Sequence, residues 1–310
     1  MKKTVIFLIA ISCCFLFTAN GQDNADNQGG KLVIAACQFP VSDNISENYN
    51  WIKNQIIEAK LKKADVVQFP ECGLSGYPEV DLKTLEGFNW DLLYEKTDSI
   101  LSLAKQLKIW VILGSIHRLS DGVKPHNSLY VINAEGKIVD RYDKRFCTSG
   151  DLKHFSPGDH FVNFDLNGVN CGLLICYDIR FPELYREYRK RNTDLIIHSF
   201  YNARQKKGSI HPIIMPITSQ ARAATNYFYI SLTNSSATES WPCHFITPDG
   251  LIQNKLTTNV PGILISTVDI NTKYYDASKD FRENAINGIL NSGETINDSH
   301  SKNRTEIIKQ

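Results

Sequence analysis

A net charge is the first thing this chain lacks. Its 34 Lys and Arg offset 33 Asp and Glu, leaving a formal charge of +1. Nucleic acids and anionic membranes are met by clustered basic residues. The one short cluster, Arg186-Arg189-Lys190-Arg191, reads as the solvated face of a helix. Metal motifs are missing too. There is no His-Glu-x-x-His and no paired Cys-x-x-Cys, so no metal site is indicated, and the chemistry below requires neither a metal nor an organic cofactor. Gly73-Leu74-Ser75-Gly76 is not the Gly-x-Ser-x-Gly elbow of a serine hydrolase. No internal sequence repeat, low-complexity linker or change of composition divides the chain.

One long apolar run stands apart at the N-terminus. Lys2-Lys3 precede a stretch from Val5 to Phe17, and the small residues Ala19 and Gly21 follow. This is the layout of a secretory signal peptide cleaved before Gln22, and it is too short for a membrane span. A lipoprotein site at Cys13 fits less well, because the apolar core continues through Phe15, Leu16 and Phe17. The expected organisation is a signal over 1–21, a polar leader over 22–30, one domain over 31–270 and a polar arm over 271–310. That makes the protein exported, periplasmic or secreted. Six cysteines remain after the signal (37, 72, 147, 171, 176 and 243), too few for a disulfide scaffold. Cys37, Cys171 and Cys243 lie in apolar runs and read as small core residues.

What is present is a series of buried strands alternating with amphipathic helices. Residues 32–38, 65–69, 110–114, 194–198, 227–233 and 262–269 are apolar, strand-like runs. Helical spacing covers 44–63, 91–107, 182–191 and about 212–226, with a short helix near 278–289. Hairpins turn at Ala134-Glu135-Gly136, Asn167-Gly168 and Pro248-Asp249-Gly250. The composition, 42% hydrophobic and 22% charged, suits one α/β domain with a real core.

Three strand ends carry chemistry. Residues 66–70 deliver Glu71, residues 138–143 deliver Lys144, and residues 169–175 deliver Cys176. Sites in open α/β folds gather at strand ends. A thiol, a carboxylate and an amine suffice for amide hydrolysis. The carboxylate takes the thiol proton as attack proceeds. The ammonium and the backbone N–H of Tyr177, the residue after the thiol, stabilise the oxyanion. Each residue alone has a bland reading: a surface carboxylate, a solvated lysine, a core thiol. A Cys–His enzyme using His154 or His198 is a rival, although neither lies in a recognisable Cys–His motif.

The motifs around these residues resemble a known family. Phe69-Pro70-Glu71-Cys72-Gly73-Leu74-Ser75-Gly76-Tyr77-Pro78, Tyr142-Asp143-Lys144-Arg145 and Leu174-Ile175-Cys176-Tyr177-Asp178-Ile179-Arg180-Phe181-Pro182-Glu183 are similar to the three signature blocks of the nitrilase superfamily of carbon–nitrogen hydrolases. Gln38 matches the family's opening strand, and the resemblance covers 31–290. It implies a four-layer αββα sandwich and a Glu71–Lys144–Cys176 triad. It also implies a homodimer or higher homo-oligomer joined through its α faces, and a small amide or N-carbamoyl substrate cleaved through a thioester. Nitrile hydrolysis or acyl transfer on the same triad, and a catalytically silent exported binding protein with this fold, are the alternatives.

Two positions depart from the family. Asp151 stands where many members have a second glutamate, and Thr225 stands where the family's Arg-Ala-x-Glu-Asn helix has its glutamate. Asp151 is expected to support Lys144 or the substrate, while Thr225 removes a carboxylate near the interface or pocket. For substrate contact, Tyr77 is placed at the entrance, and Arg180 is the first choice for a carboxylate, ahead of Arg204, Lys206 and Lys207. Residues 200–211 are expected to loop over the site.

Overall fold

The computed structural model describes residues 29–305 and 307. The expected signal (1–21) and leader residues 22–28 lie outside that range. The described chain begins with β1 (Lys31–Gln38), α1 (Ile45–Leu61), β2 (Val66–Gln68), α2 (Trp90–Leu107) and β3 (Trp110–His117), with the three strands parallel and the helices as crossovers. Both helices start at an asparagine. Asn44 accepts from the Ser46 and Glu47 amides, and Asn89 from that of Leu92, satisfying N–H groups that the first turn leaves free. β4 (His126–Ile132) and β5 (Ile138–Asp143) then return as an antiparallel meander.

A short α3 (Asp151–His154) leads to the hairpin of β6 (Asn163–Leu166) and β7 (Val169–Ile175). Asn167 and Gly168, both at positive φ, make its two-residue turn, the conformation that suits the twist of a tight hairpin. After a single 3₁₀ turn (Cys176–Arg180) come α4 (Pro182–Lys190), β8 (Leu195–Ser199), α5 (His211–Asn226) and β9 (Tyr229–Thr233), a second parallel set. β10 (His244–Ile246) and β11 (Ile252–Lys255) add antiparallel strands, and β12 (Gly262–Asp269) crosses back to pair with β1. The arm holds α6 (Arg282–Ile286) and α7 (Ser299–Lys302), two short helices where the sequence suggested one.

The strands form two six-stranded sheets, ordered β12-β1-β2-β3-β4-β5 and β11-β10-β9-β8-β7-β6. Each has three central parallel strands with antiparallel strands outside. The topology therefore repeats where the sequence does not.

α1 and α2 cover the outer face of the first sheet, where Ile52, Ile56, Ala59, Ile100 and Ala104 share a buried cluster with Ala35, Val67 and Val111. α4 and α5 cover the second sheet through Leu184, Tyr185, Tyr188, Met215 and Ala223. Between the sheets, Ile34, Ala36, Ile112 and Leu129 join Leu173 and Ile197 in one core. Each of these Ile and Leu side chains contributes about 1.5–3 kcal/mol when fully buried. The result is the expected α/β sandwich of four layers, αββα. A polar seam crosses the core: Ser231 Oγ donates to Gln68 Oε1 at 2.7 Å and Ser199 Oγ to the Phe69 carbonyl at 2.8 Å. These bonds fix the ends of β2 and β8 and the middle of β9 against one another.

Candidate active site

β2 is only three residues long, because Pro70 has no N–H to continue the ladder. The chain turns instead across β3 at Gly114, where an added Cβ would sit 1.9 Å from the Pro70 carbonyl oxygen. This close approach tucks Glu71 into the space between the sheets, fully buried. Lys144 follows β5 on the same sheet and is also buried. Cys176 comes from the other sheet, at the end of β7, and is partly accessible. The strands carrying Glu71 and Cys176 are thus not neighbours in one sheet. They meet across the sandwich.

Lys144 Nζ lies 2.8 Å from Glu71 Oε1 and 2.8 Å from Asp151 Oδ2. Glu71 Oε1 also accepts from Asn127 Nδ2 at 2.8 Å, and its Oε2 from the Tyr201 amide at 2.8 Å. Asp151 accepts from the Thr148 amide at 2.9 Å and from the Tyr77 hydroxyl. Cys176 Sγ accepts from Asn202 Nδ2 at 3.5 Å. The Trp241 indole N–H, which can only donate, holds Asn202 Oδ1 at 3.3 Å and so aims Nδ2 at the sulfur.

These contacts set the charges. Burial raises Glu71 above the usual carboxylate range by more than Lys144 and the donors at its oxygens bring it back. Burial opposes the Lys144 charge, but Glu71, with Tyr77, Cys176 and Asp151 adding to it, holds the amine well above its ordinary value. At Asp151 the balance falls the other way: burial is outweighed by the ammonium and the hydrogen bonds, and its pKa drops. Burial and then Glu71 push the Cys176 thiol well up, against the pull of Lys144. The thiol is thus held protonated in the electrostatic reach of both Glu71 and the Lys144 cation.

Cys176 has φ 40°, the left-handed region, uncommon for a non-glycine residue. Asp178 holds that turn: its buried carboxylate accepts from the Ile175 amide (3.0 Å), the Phe146 amide (2.9 Å) and the Tyr142 hydroxyl (2.8 Å). Burial pushes Asp178 up to about 6.

The structure brings Glu71, Lys144, Cys176, Asp151 and Tyr77 into one cluster, with Tyr177 one residue past the thiol on the 3₁₀ turn. Asp151 reaches Lys144 despite its short side chain because it opens α3, directly over the amine. Tyr77 lines a cavity of about 230 Å³ with Pro78, Glu79, Thr148, Asp151 and His154. Arg180 is exposed, at the far end of the turn, and forms no ion pair among the described residues. Thr225 sits apart from the cluster, exposed near the C-terminal end of α5, where its carbonyl accepts from Arg186 and Arg282. Its hydroxyl donates to the Ala221 carbonyl within the same helix, so the residue lies on the outer helical layer. Among the described residues, neither rival histidine is hydrogen-bonded to the Cys176 sulfur: His154 lies 3.3 Å from Glu79, and His198 meets the Tyr185 hydroxyl at 2.8 Å. His198 is near Cys176 through that residue's backbone, with burial holding its pKa well below the usual imidazole value. Asn127, Trp241 and the anchoring role of Asp178 were not found from sequence, and Tyr201 and Asn202 were reached only as part of the 200–211 segment expected over the site. Of the individual residues only Asp178 lay in a quoted motif.

Known proteins give the same picture of the fold. Residues 33–275 match the family model for carbon–nitrogen hydrolases. The chain belongs to that family and is a carbon–nitrogen hydrolase. It is 30% identical over 222 residues to omega-amidase NIT2 of Xenopus tropicalis, covering 67% of this chain and 76% of that protein. The human omega-amidase NIT2 is 29% identical over 208 residues, covering 64% and 72%. Among solved structures, a mutant of the nitrilase-superfamily amidase of Nesterenkonia superposes with a TM-score of 0.68 at 18% identity, over 83% of this chain and 94% of that one. The glutamine-dependent NAD+ synthetase of Acinetobacter baumannii gives 0.67 at 20% identity, over 78% and 46%.

Proposed function

We propose that this protein is an amidase that cleaves a small non-peptide amide through a thioester on Cys176. The observation that carries the reading is Lys144, buried and bridging Glu71 and Asp151 at 2.8 Å each, beside a partly accessible thiol at a strand end.

The Cys176 sulfur attacks the amide carbon while Glu71 takes the thiol proton. The carbonyl oxygen becomes an oxyanion held by the Lys144 ammonium and the Tyr177 amide N–H. As the C–N bond breaks, Glu71 returns the proton to the departing nitrogen and ammonia leaves. Water then enters, gives a proton to Glu71 and attacks the thioester. The carboxylate product departs as the sulfur regains its proton. Asp151 keeps Lys144 charged and in place throughout, and no step needs a metal or cofactor.

The relatives described as omega-amidases favour a monoamide of a dicarboxylate over an N-carbamoyl compound. The exposed, unpaired Arg180 is our candidate for the distal carboxylate. We extend the proposal to an exported homodimer, which signal processing and sedimentation would test. The reading of the reaction is tested by ammonia release under reductant from four classes: small amides, dicarboxylate monoamides, N-carbamoyl amino acids and aliphatic nitriles. Release from the monoamides first, and its disappearance in Cys176→Ala, is expected. Release from nitriles alone, or release that survives the substitution, would overturn it.

A further inference from the structure

Asp81 lies outside the cluster described above, yet both acids at Lys144 are tied to it. Its side chain is fully enclosed. Oδ2 accepts from the Tyr77 amide at 3.0 Å, and Oδ1 accepts from the Tyr201 hydroxyl at 2.7 Å and from Arg204 Nε at 3.1 Å. The two tyrosine rings stack on each other, with centroids 5.0 Å apart and planes 15° from parallel. Each tyrosine then touches one of the acids. The Tyr77 hydroxyl donates to Asp151, and the Tyr201 amide donates to Glu71 Oε2 at 2.8 Å.

We propose that Asp81 is a positioning residue for the reaction: it clamps Tyr77 and Tyr201 together and through them sets Asp151 and Glu71 against Lys144. The proposal rests on the assignment of Glu71 as the base. A buried carboxylate suits this task. It offers two lone-pair-rich oxygens to three donors, one from the turn after β2 and two from the segment after β8, where Tyr201 is 120 residues from Asp81 in sequence. The half-exposed Arg204 neutralises it from the solvent side.

The consequence is directional. Loosening the Tyr201 amide from Glu71 removes a donor to the ionised carboxylate, so the base should gain its proton at higher pH. The groups facing Glu71 that share this titration are Lys144 after β5, Asp151 on α3, Tyr77 and Cys72 after β2, and Cys176 after β7.

The test uses Asp81→Ala, Asp81→Asn and Tyr201→Phe in the chain freed of residues 1–21. Two readouts are taken: steady-state ammonia release across pH, and the rate of Cys176 alkylation by iodoacetamide across pH. Asp81→Ala should lower kcat by about 10- to 100-fold with KM within about threefold, the size of effect a small misplacement of reacting groups produces. The acid limbs of both profiles should move to higher pH. Asp81→Asn keeps an acceptor for Tyr201 and should recover most of kcat. Tyr201→Phe removes one hydroxyl, keeps the ring stack and should shift the limbs in the same direction, so it carries the test if Asp81→Ala fails to fold. Acid limbs that stay in place in Tyr201→Phe and in folded Asp81→Ala would overturn the proposal. Alkylation needs no substrate. A wild-type protein that releases no ammonia would therefore defeat the amidase reading, while the alkylation profiles still decide on Asp81.

Discussion

Two ion networks sit back to back at the end of β5, on the consecutive residues Asp143 and Lys144. Asp143 points outward, where Arg141 grips it with two bonds of 2.8 and 2.9 Å and Ser128 donates at 2.5 Å. Arg141 also meets His117 Nε2 at 2.7 Å. Lys144 points inward, to Glu71 and Asp151. Alternation along an extended chain accounts for the opposite directions. The chemistry differs because the solvent differs. Burial works against the Asp143 charge, but the Arg141 and Ser128 bonds outweigh it and keep Asp143 ionised to low pH. Around Glu71, burial prevails and a proton is held more readily. A partly solvated arginine pair makes a settled salt bridge. A dry lysine shared by two acids leaves one of them able to act as a base.

The largest break in this comparison should come from Lys144→Met. It leaves two carboxylates facing each other without a cation. Removing one partner of a buried pair costs about 3–5 kcal/mol, read as a lower urea midpoint, and ammonia release should fall by about 10³-fold with the loss of its oxyanion donor. Glu71→Gln separates the two effects. Its activity should fall by about 10²- to 10⁴-fold, as loss of a general base does, while the urea midpoint falls less than in Lys144→Met, because the amide keeps the shape and one acceptor although its NH2 then faces a buried donor.

The pH dependence of stability should then have opposite signs at the two networks. The Asp143 pKa is depressed, so its contribution is present above the unfolded value and is lost as pH falls through the folded one. Glu71 is raised, so its contribution is full below the unfolded value and is lost as pH rises through the folded one. Urea titrations across this range should show Asp143→Asn removing the acid-side loss and Glu71→Gln removing the loss above it. Profiles that both substitutions change in the same direction would erase the distinction. The smallest effect on turnover belongs to Arg141→Ala, with ammonia release within about threefold of wild type, while the urea midpoint falls because the buried Asp143 loses its main partner.

Much of this architecture is legible in sequence because it is local. The run ending at Gln38, the helical spacing from Ile45 to Ala59 and the Asn167-Gly168 turn each follow from a few neighbouring residues. Glu71, Lys144 and Cys176 could be picked out because each ends a strand. That Glu71 and Cys176 face each other from different sheets could not be read, since strand order has no periodic signature. Asn127 escaped notice for the same reason, and Tyr201 and Asn202 were legible only as members of the 200–211 segment: their individual roles exist only where β4 and the segment after β8 reach the cluster. Of the two places expected for Thr225, interface or pocket, the structure puts it on the exposed helical face. It departs from a family motif, yet its helix end faces Arg186 and Arg282.

The central claim is that Cys176 is acylated by the substrate with help from the inward network. The most direct measurement is rapid quench of the protein with a dicarboxylate monoamide, followed by intact mass and peptide mapping. The account predicts an acyl adduct on Cys176 that forms with ammonia release, is absent in Cys176→Ala and does not build up in Glu71→Gln. Ammonia release with no adduct in the wild type and undiminished turnover in Cys176→Ala would contradict it.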